Sequence, residues 1–311
     1  MTNKQHVVIG ATGGAGSAIC AALTAAGLEA ITVGRHGTID RRADIETPGG
    51  ARAAVEGAAV VYMAAQPPYT EWSGRFPAML ANVIDATADV GAKLVMVDNL
   101  YGYGPVAGPL REDTPEQATD AKGRTRRTMT EMLMEAHRSG RLPVTIGRAA
   151  DYFGPNADNS AITSLAITPA VAGKRARWIG RLDMPHSAAY LPDIARAFVT
   201  LGTDARADGK IWHLPHAQAV TGRRFIELMN ASLGEPVGVG ALSKTMLRMA
   251  APFNGMSRET LALFHQWNRP FVVDDGAFRS AFGPVVETPL DQAIHATVGW
   301  YRSRHLVAAA S

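Results

Sequence analysis

Three glycines spaced three residues apart, Gly10, Gly13 and Gly16, separate an apolar run from an alanine-rich one in His6-Val-Val-Ile-Gly10-Ala-Thr12-Gly13-Gly14-Ala15-Gly16-Ser-Ala-Ile-Cys20. The short apolar run bounded by glycine reads as a buried parallel strand, and Ser17 to Ala26 has the composition and length of a helix. The glycines form the turn between them. They let the chain bend sharply, let a pyrophosphate approach bare backbone, and let helix and strand pack closely. The helix start adds unpaired N–H groups and a partial positive charge. Glycines also mark tight turns that bind nothing. On the first strand of a chain that goes on alternating strands and helices, however, they predict a dinucleotide site made of Gly10, Thr12, Gly13, Gly14, Ala15 and Gly16.

The alternation continues. Glu29 to Gly34 reads as a second strand, and Arg35 and His36 follow where an adenosine ribose would lie. A carboxylate there would hold a ribose 2′-hydroxyl; Arg35 favours a 2′-phosphate, so NADP(H) is expected over NAD(H). Ala59 to Ala65 and Lys93 to Val97 are nearly continuous apolar runs suited to central parallel strands, with a helix from about Phe76 to Val90 between them. The second run ends in Asp98-Asn99-Leu-Tyr101-Gly-Tyr103-Gly-Pro105, and ligands of such sheets sit at the strands' carboxyl ends. Lys122 to His137 has helix-forming composition, Pro143 to Arg148 is a further strand, and Asp193 to Leu201 with Lys210 to Leu214 rejoin the sheet. The fold class is therefore α/β, a Rossmann-type doubly wound parallel sheet with a smaller, mostly helical C-terminal substrate lobe. Residues 1–155 form the dinucleotide-binding domain, with 186–216 returning to it, and residues 156–185 and 217–311 form the lobe.

At 311 residues the chain can bury a full core. A net charge of +3, with one short basic cluster from Lys122 to Arg127, argues against nucleic acid as a partner. No run approaches the ~20 apolar residues of a spanning helix, so the chain reads as soluble, cytoplasmic and without a membrane partner. Cys20 is the only cysteine, and His213 and His216 lack carboxylates at ligand spacing, so no metal site is expected.

These motifs resemble the extended short-chain dehydrogenase/reductase superfamily, in particular its NAD-dependent epimerase/dehydratase group, along almost the whole chain. Gly10-x-x-Gly13-x-x-Gly16 is similar to that group's nucleotide fingerprint, Asp44-Ile45 to the pair it places against adenine, and Ala64-Ala65 to the segment running past the cofactor. Asn82 sits like the family's Asn on the following helix. Arg148-Ala-Ala-Asp151-Tyr152-Phe-Gly-Pro155 resembles the corner that lines the substrate pocket, which implies substrate contacts for Asp151 and Tyr152, and Tyr190-Leu-Pro-Asp193 resembles the return helix. The resemblance also implies a homodimer through the helices Phe76 to Val90 and Lys122 to His137.

The proton-transfer positions depart from the family. Aligning Tyr103-Gly104 with the family's Tyr-Gly puts Asn99 on a serine, and the family's spacing from Pro115 puts Lys122 on the Tyr and Arg126 on the Lys of Tyr-x-x-x-Lys. The members it resembles here are the atypical ones. Lys122 could serve as an ammonium acid whose pKa is pulled down by Arg126, or Tyr101 or Tyr103 could supply the proton while Asn99 holds the substrate oxygen. Tyr103 otherwise packs in the pocket wall, and His186 lines the pocket or caps a helix. The expected activity is oxidoreductase chemistry on a small carbonyl or hydroxyl compound. Sugar-nucleotide epimerase or dehydratase chemistry and a non-catalytic NADP(H)-binding sensor are the alternatives.

Overall fold

The computed structural model describes residues 5–310. β1 (Gln5–Ile9), β2 (Ala30–Gly34), β3 (Arg41–Arg42), β4 (Ala58–Met63), β5 (Lys93–Asp98) and β6 (Val144–Arg148) share one parallel sheet with the strand Lys210–His213. The order is Lys210–His213, β6, β5, β4, β1, β2, β3. The chain thus begins in the middle, runs out to β3 and reverses at β1, leaving a crevice at the carboxyl ends of β1 and β4.

Both faces of the sheet are covered, which is why its strands read as continuous apolar runs. Val7, Ile9, Val61, Met63, Leu94 and Met96 pack against α2 (Pro48–Val55), α3 (Trp72–Asp89) and α4 (Ala121–Arg138). The alternate residues Val8, Val60, Tyr62 and Val95 pack against α1 (Gly14–Ala25) and the helix Leu191–Thr203. β3 had no signature in the sequence. It exists because Arg41 Nη1 donates to the carbonyls of Ala54 and Glu56 and so closes the end of α2. α3 begins about a turn before the expected start at Phe76 and carries Pro77 inside it. Proline removes only one helical bond, and the carbonyl it leaves belongs to exposed Ser73.

A third core lies outside the sheet. Phe153, Trp178, Phe225, Met229, Trp267, Ile294 and Tyr301 gather there, framed by the paired strands Ala176–Ile179 and Val239–Leu242 and by the helices Gly222–Leu233 and Leu290–Ala310. The helix Gly276–Phe282 is placed differently from the rest of this C-terminal stretch. Its Phe282 ring lies 4.9 Å from Trp212 on the sheet's edge strand, so this segment packs on the sheet side. α3 and α4 lie against each other and turn Asp85, Arg124, Glu131, Glu135 and Arg138 outward. No helix among the described residues is long and apolar enough to cross a membrane.

The return helix is held tight to the sheet at Gly202, where an added Cβ would fall 2.0 Å from the hydroxyl oxygen of buried Tyr62. Alanine improves helix propensity by about 1 kcal/mol, whereas overpacking a rigid core costs about 1–3 kcal/mol. Gly202→Ala should therefore destabilise the protein, read as a lower urea midpoint. An unchanged or higher midpoint would mean that this contact is looser than described.

Candidate active site

At the amino end of α1 the glycines are required by backbone contact. A Cβ on Gly10 would meet the Ala65 amide at 2.7 Å, and one on Gly16 would meet the Gly10 carbonyl oxygen at 2.2 Å. Gly13 caps α1 with extended backbone and no side chain on the free N–H groups, and Thr12 and Gly13 face solvent. An uncapped helix start with bare backbone fits a pyrophosphate. Ala64 and Ala65 line the facing strand end, where the Ala64 amide donates to the Ile9 carbonyl. Ile45 is buried and Asp44 exposed, and Asn82 Nδ2 donates to the carbonyls of Ile45 (3.2 Å) and Glu46 (2.9 Å), fixing the edge where adenine would lie. Arg35 is half exposed and pairs with Glu46 at 3.5 Å. The nearby Asp40 carboxylate is already occupied by the amide and hydroxyl of Thr32.

The corner after β6 reaches back to this turn. Asn156, whose φ of 58° is the one positive value among the described non-glycine residues, donates from Nδ2 to Ser17 Oγ (3.0 Å) and to the Thr12 carbonyl (3.4 Å). Its own carbonyl lies where a Cβ on Gly14 would be, at 2.6 Å, so position 14 must be glycine.

The end of β5 carries a buried charge cluster. Asp98 accepts from Arg148 Nε at 2.9 Å and stands 3.0 Å from Arg126 Nη1, a charge contact without hydrogen-bond alignment. Arg148 also bonds Glu116 and, at 2.8 Å, the Thr130 hydroxyl. Two guanidinium groups and two carboxylates balance. Arg126 is further sandwiched against Trp72 and Phe76, with ring centroids 4.4 and 4.7 Å away.

One turn earlier on α4, Lys122 Nζ sits 3.6 Å from the centre of the Tyr69 ring and 4.6 Å from that of Trp72, donates to the Tyr69 carbonyl, and pairs with Glu259 at 3.3 Å. Burial lowers the Lys122 pKa, and the Arg126 charge adds to that while Glu259 opposes it. The Tyr69 hydroxyl donates to that of Tyr101 at 3.4 Å. Burial, the neighbouring Tyr69 and Asp151 raise the Tyr101 phenol well above its ordinary value, so it stays protonated and acts as a donor. Asn99 Oδ1 accepts the Tyr101 amide at 3.1 Å, leaving its Nδ2 as the group able to donate.

Asp151 and partly buried Tyr152 lie beside this group; burial first, and the Asp151 charge after it, raise the phenols of Tyr69, Tyr101 and Tyr152. His186 stands behind Asp151 rather than in the pocket. Its Nε2 is 2.8 Å from Asp151 Oδ2, and its ring is stacked on Trp267 (4.2 Å) and Phe271 (4.9 Å). Tyr103 requires a correction: it is 1 % exposed and its hydroxyl bonds His213 Nε2 at 2.8 Å, which takes it out of the pocket wall. The Tyr-Gly turn places that ring under the sheet end, and nothing in the motif points to its His213 partner. Tyr69, Trp72 and Glu259 escaped the motif reading. Tyr69 follows Pro67-Pro68, a break that marks a pocket loop, but nothing near Glu259 in sequence connects it to Lys122.

The profile of the NAD dependent epimerase/dehydratase family matches residues 6–214, and the chain belongs to that family. No curated protein matches its sequence. Among solved structures it is similar to a dTDP-glucose 4,6-dehydratase from Bacillus anthracis in complex with NAD, with a TM-score of 0.80 at 14% identity over 97% of this chain and 98% of that one. A nucleoside-diphosphate-sugar epimerase from Pseudomonas aeruginosa has a TM-score of 0.77 at 18% identity over 97% of this chain and 98% of that one. A UDP-glucuronic acid 4-epimerase from Bacillus cereus, in complex with UDP-glucuronic acid and NAD, has a TM-score of 0.77 at 16% identity over 96% and 99%.

Two outcomes follow from the buried groups. Asp98→Asn removes the charge facing both Arg126 and Arg148, and should cost about 3–5 kcal/mol in chemical denaturation; a loss below ~1 kcal/mol would contradict the cluster. His213 is fully buried, and desolvation followed by the Arg148 charge pushes its pKa down to about 4. The unfolded chain then binds the proton first, so stability contributed by neutral His213 is present above pH ~6.5 and lost as pH falls toward 4, by up to about 3 kcal/mol. His213→Gln should flatten the stability curve in that window.

Proposed function

We propose that this protein is an NADP(H)-dependent oxidoreductase that reduces a small carbonyl compound, or oxidises the corresponding hydroxyl, with Lys122 in the place of the family's tyrosine. The observation that carries this reading is the cage around Lys122: a desolvated ammonium on an aromatic platform, one turn before Arg126 and beside the Tyr69–Tyr101 pair. When bound, the nicotinamide supplies or accepts the hydride. Lys122 Nζ donates the proton to the substrate oxygen, and burial stabilises the neutral amine that remains. Tyr101 and Asn99 Nδ2 hold that oxygen by donating to it. Arg126, committed to Asp98, contributes by its charge.

NADP(H) preference rests on Arg35. Its exposed pair with Glu46 is worth about 0–1 kcal/mol, whereas a charge-assisted bond to a phosphate is worth about 1.5–3 kcal/mol, so the guanidinium is free to change partners. A second reading, sugar-nucleotide epimerase or dehydratase chemistry, is supported by likeness over nearly whole chains to proteins whose structures hold NAD and a nucleotide sugar. It asks for a base as well as an acid, and the raised phenols of Tyr69 and Tyr101 argue for donors.

Calorimetric titration with NADPH and NADH, followed by turnover against a carbonyl library, tests both parts. Arg35→Ala should weaken NADPH about tenfold or more and leave NADH nearly unchanged. An unaltered ratio would remove the basis for NADP(H). Lys122→Met should lower kcat by about 10²–10⁴ with NADPH affinity kept. Full turnover in that variant would transfer the proton to Tyr101, and tight NADPH binding with no turnover of any compound would favour the sensor reading.

A further inference from the structure

Seven large hydrophobic side chains are exposed among the described residues, and four of them stand on one short helical hairpin: Met246 (49%), Met249 (66%), Phe253 (93%) and Met256 (54%). The hairpin is formed by the helices Lys244–Ala250 and Gly255–Ala262, with Phe253 in the turn between them. We propose that this hairpin docks the protein on an anionic lipid surface, as an interfacial contact rather than a span.

Charge decides the occupant. Lys244, Arg248 and Arg258 are exposed on the same hairpin, and Lys244 and Arg248 hold no ion pair among the described residues. The hairpin's one acidic residue, Glu259, is turned inward to Lys122. A second copy docked face to face about a two-fold axis would bring three like charges against three, which opposes self-association. An anionic layer answers both halves of the pattern, because apolar tips enter the headgroup boundary while the cations stay at its surface. A cleft at the base of the hairpin, between Lys244, His265, Asn268 and Arg269, offers a headgroup phosphate further donors. Phe253 stands almost fully exposed in the turn between the helices, a placement that lets its ring insert into a deformable surface.

The experiment is flotation of the full chain with vesicles of phosphatidylcholine alone or mixed equally with phosphatidylglycerol. It needs neither nucleotide nor turnover, so its result is independent of the proposed reaction. We expect binding to the anionic vesicles about tenfold or more tighter than to the neutral ones, weakened by raising salt to about 0.5 M. Phe253→Ser with Met249→Ser, and separately Lys244→Ser with Arg248→Ser, should each reduce vesicle affinity about tenfold. All four side chains are exposed, so the fold should be retained, as circular dichroism would register. Phe253→Trp should show a blue-shifted emission on adding anionic vesicles. Absence of vesicle binding, equal binding by the variants, or binding to poly-glutamate in place of vesicles would overturn the proposal. So would a dimer in light scattering that Phe253→Ser dissolves, which would assign the patch to a second copy.

Discussion

The carboxylate of Asp98 is the constraint on which the site depends. It ends the interior strand β5 and stands against guanidinium groups from two other elements, Arg148 of β6 and Arg126 of α4. Breaking such an arrangement strands charge in the interior, which costs several kcal/mol, so strand, neighbouring strand and helix are fixed relative to one another. Everything on the pocket side inherits that geometry. Arg126 cannot swing into the pocket, Trp72 is held against it, and Lys122 one turn away is placed over the rings of Tyr69 and Trp72. The Arg126 cation belongs to the scaffold, held between the Asp98 carboxylate and the rings of Trp72 and Phe76.

The sheet was legible in the sequence because burial on both faces leaves an unambiguous trace: Ala58–Met63 and Lys93–Asp98 are apolar runs ended by polar turns. The glycine turn was legible for a different reason, since Gly10 and Gly16 meet other backbone too closely for any side chain. The pocket was only half legible. Asn99, Tyr101, Lys122 and Asp151 lie near one another, but the side chains that pair with them come from far along the chain. Glu259 reaches Lys122 from the C-terminal lobe, and His186 and His213 pair with Asp151 and Tyr103 across tertiary contacts. Local pattern carries strand, helix and turn; it carries no record of which side chain from a distant segment will complete a charge.

That difference also explains why Tyr103 was misplaced. Its motif neighbour Gly104 adopts a φ of 71°, as the Tyr-Gly turn demands, and the turn settles the backbone. The direction of the ring is settled by His213, which offers its hydroxyl a buried partner at the sheet's edge. A buried phenol without such a partner would be costly, and the ring follows the hydrogen bond.

Asn156 has one more implication. A single side chain in a left-handed conformation bolts the corner carrying Asp151 and Tyr152 to Thr12 and Ser17 of the nucleotide turn. The glycine turn after β1 and the corner after β6 are thereby one mechanical part. A displacement of the glycine turn would therefore pull on the backbone that carries Asp151 and Tyr152, and a displacement of that corner would pull on the turn.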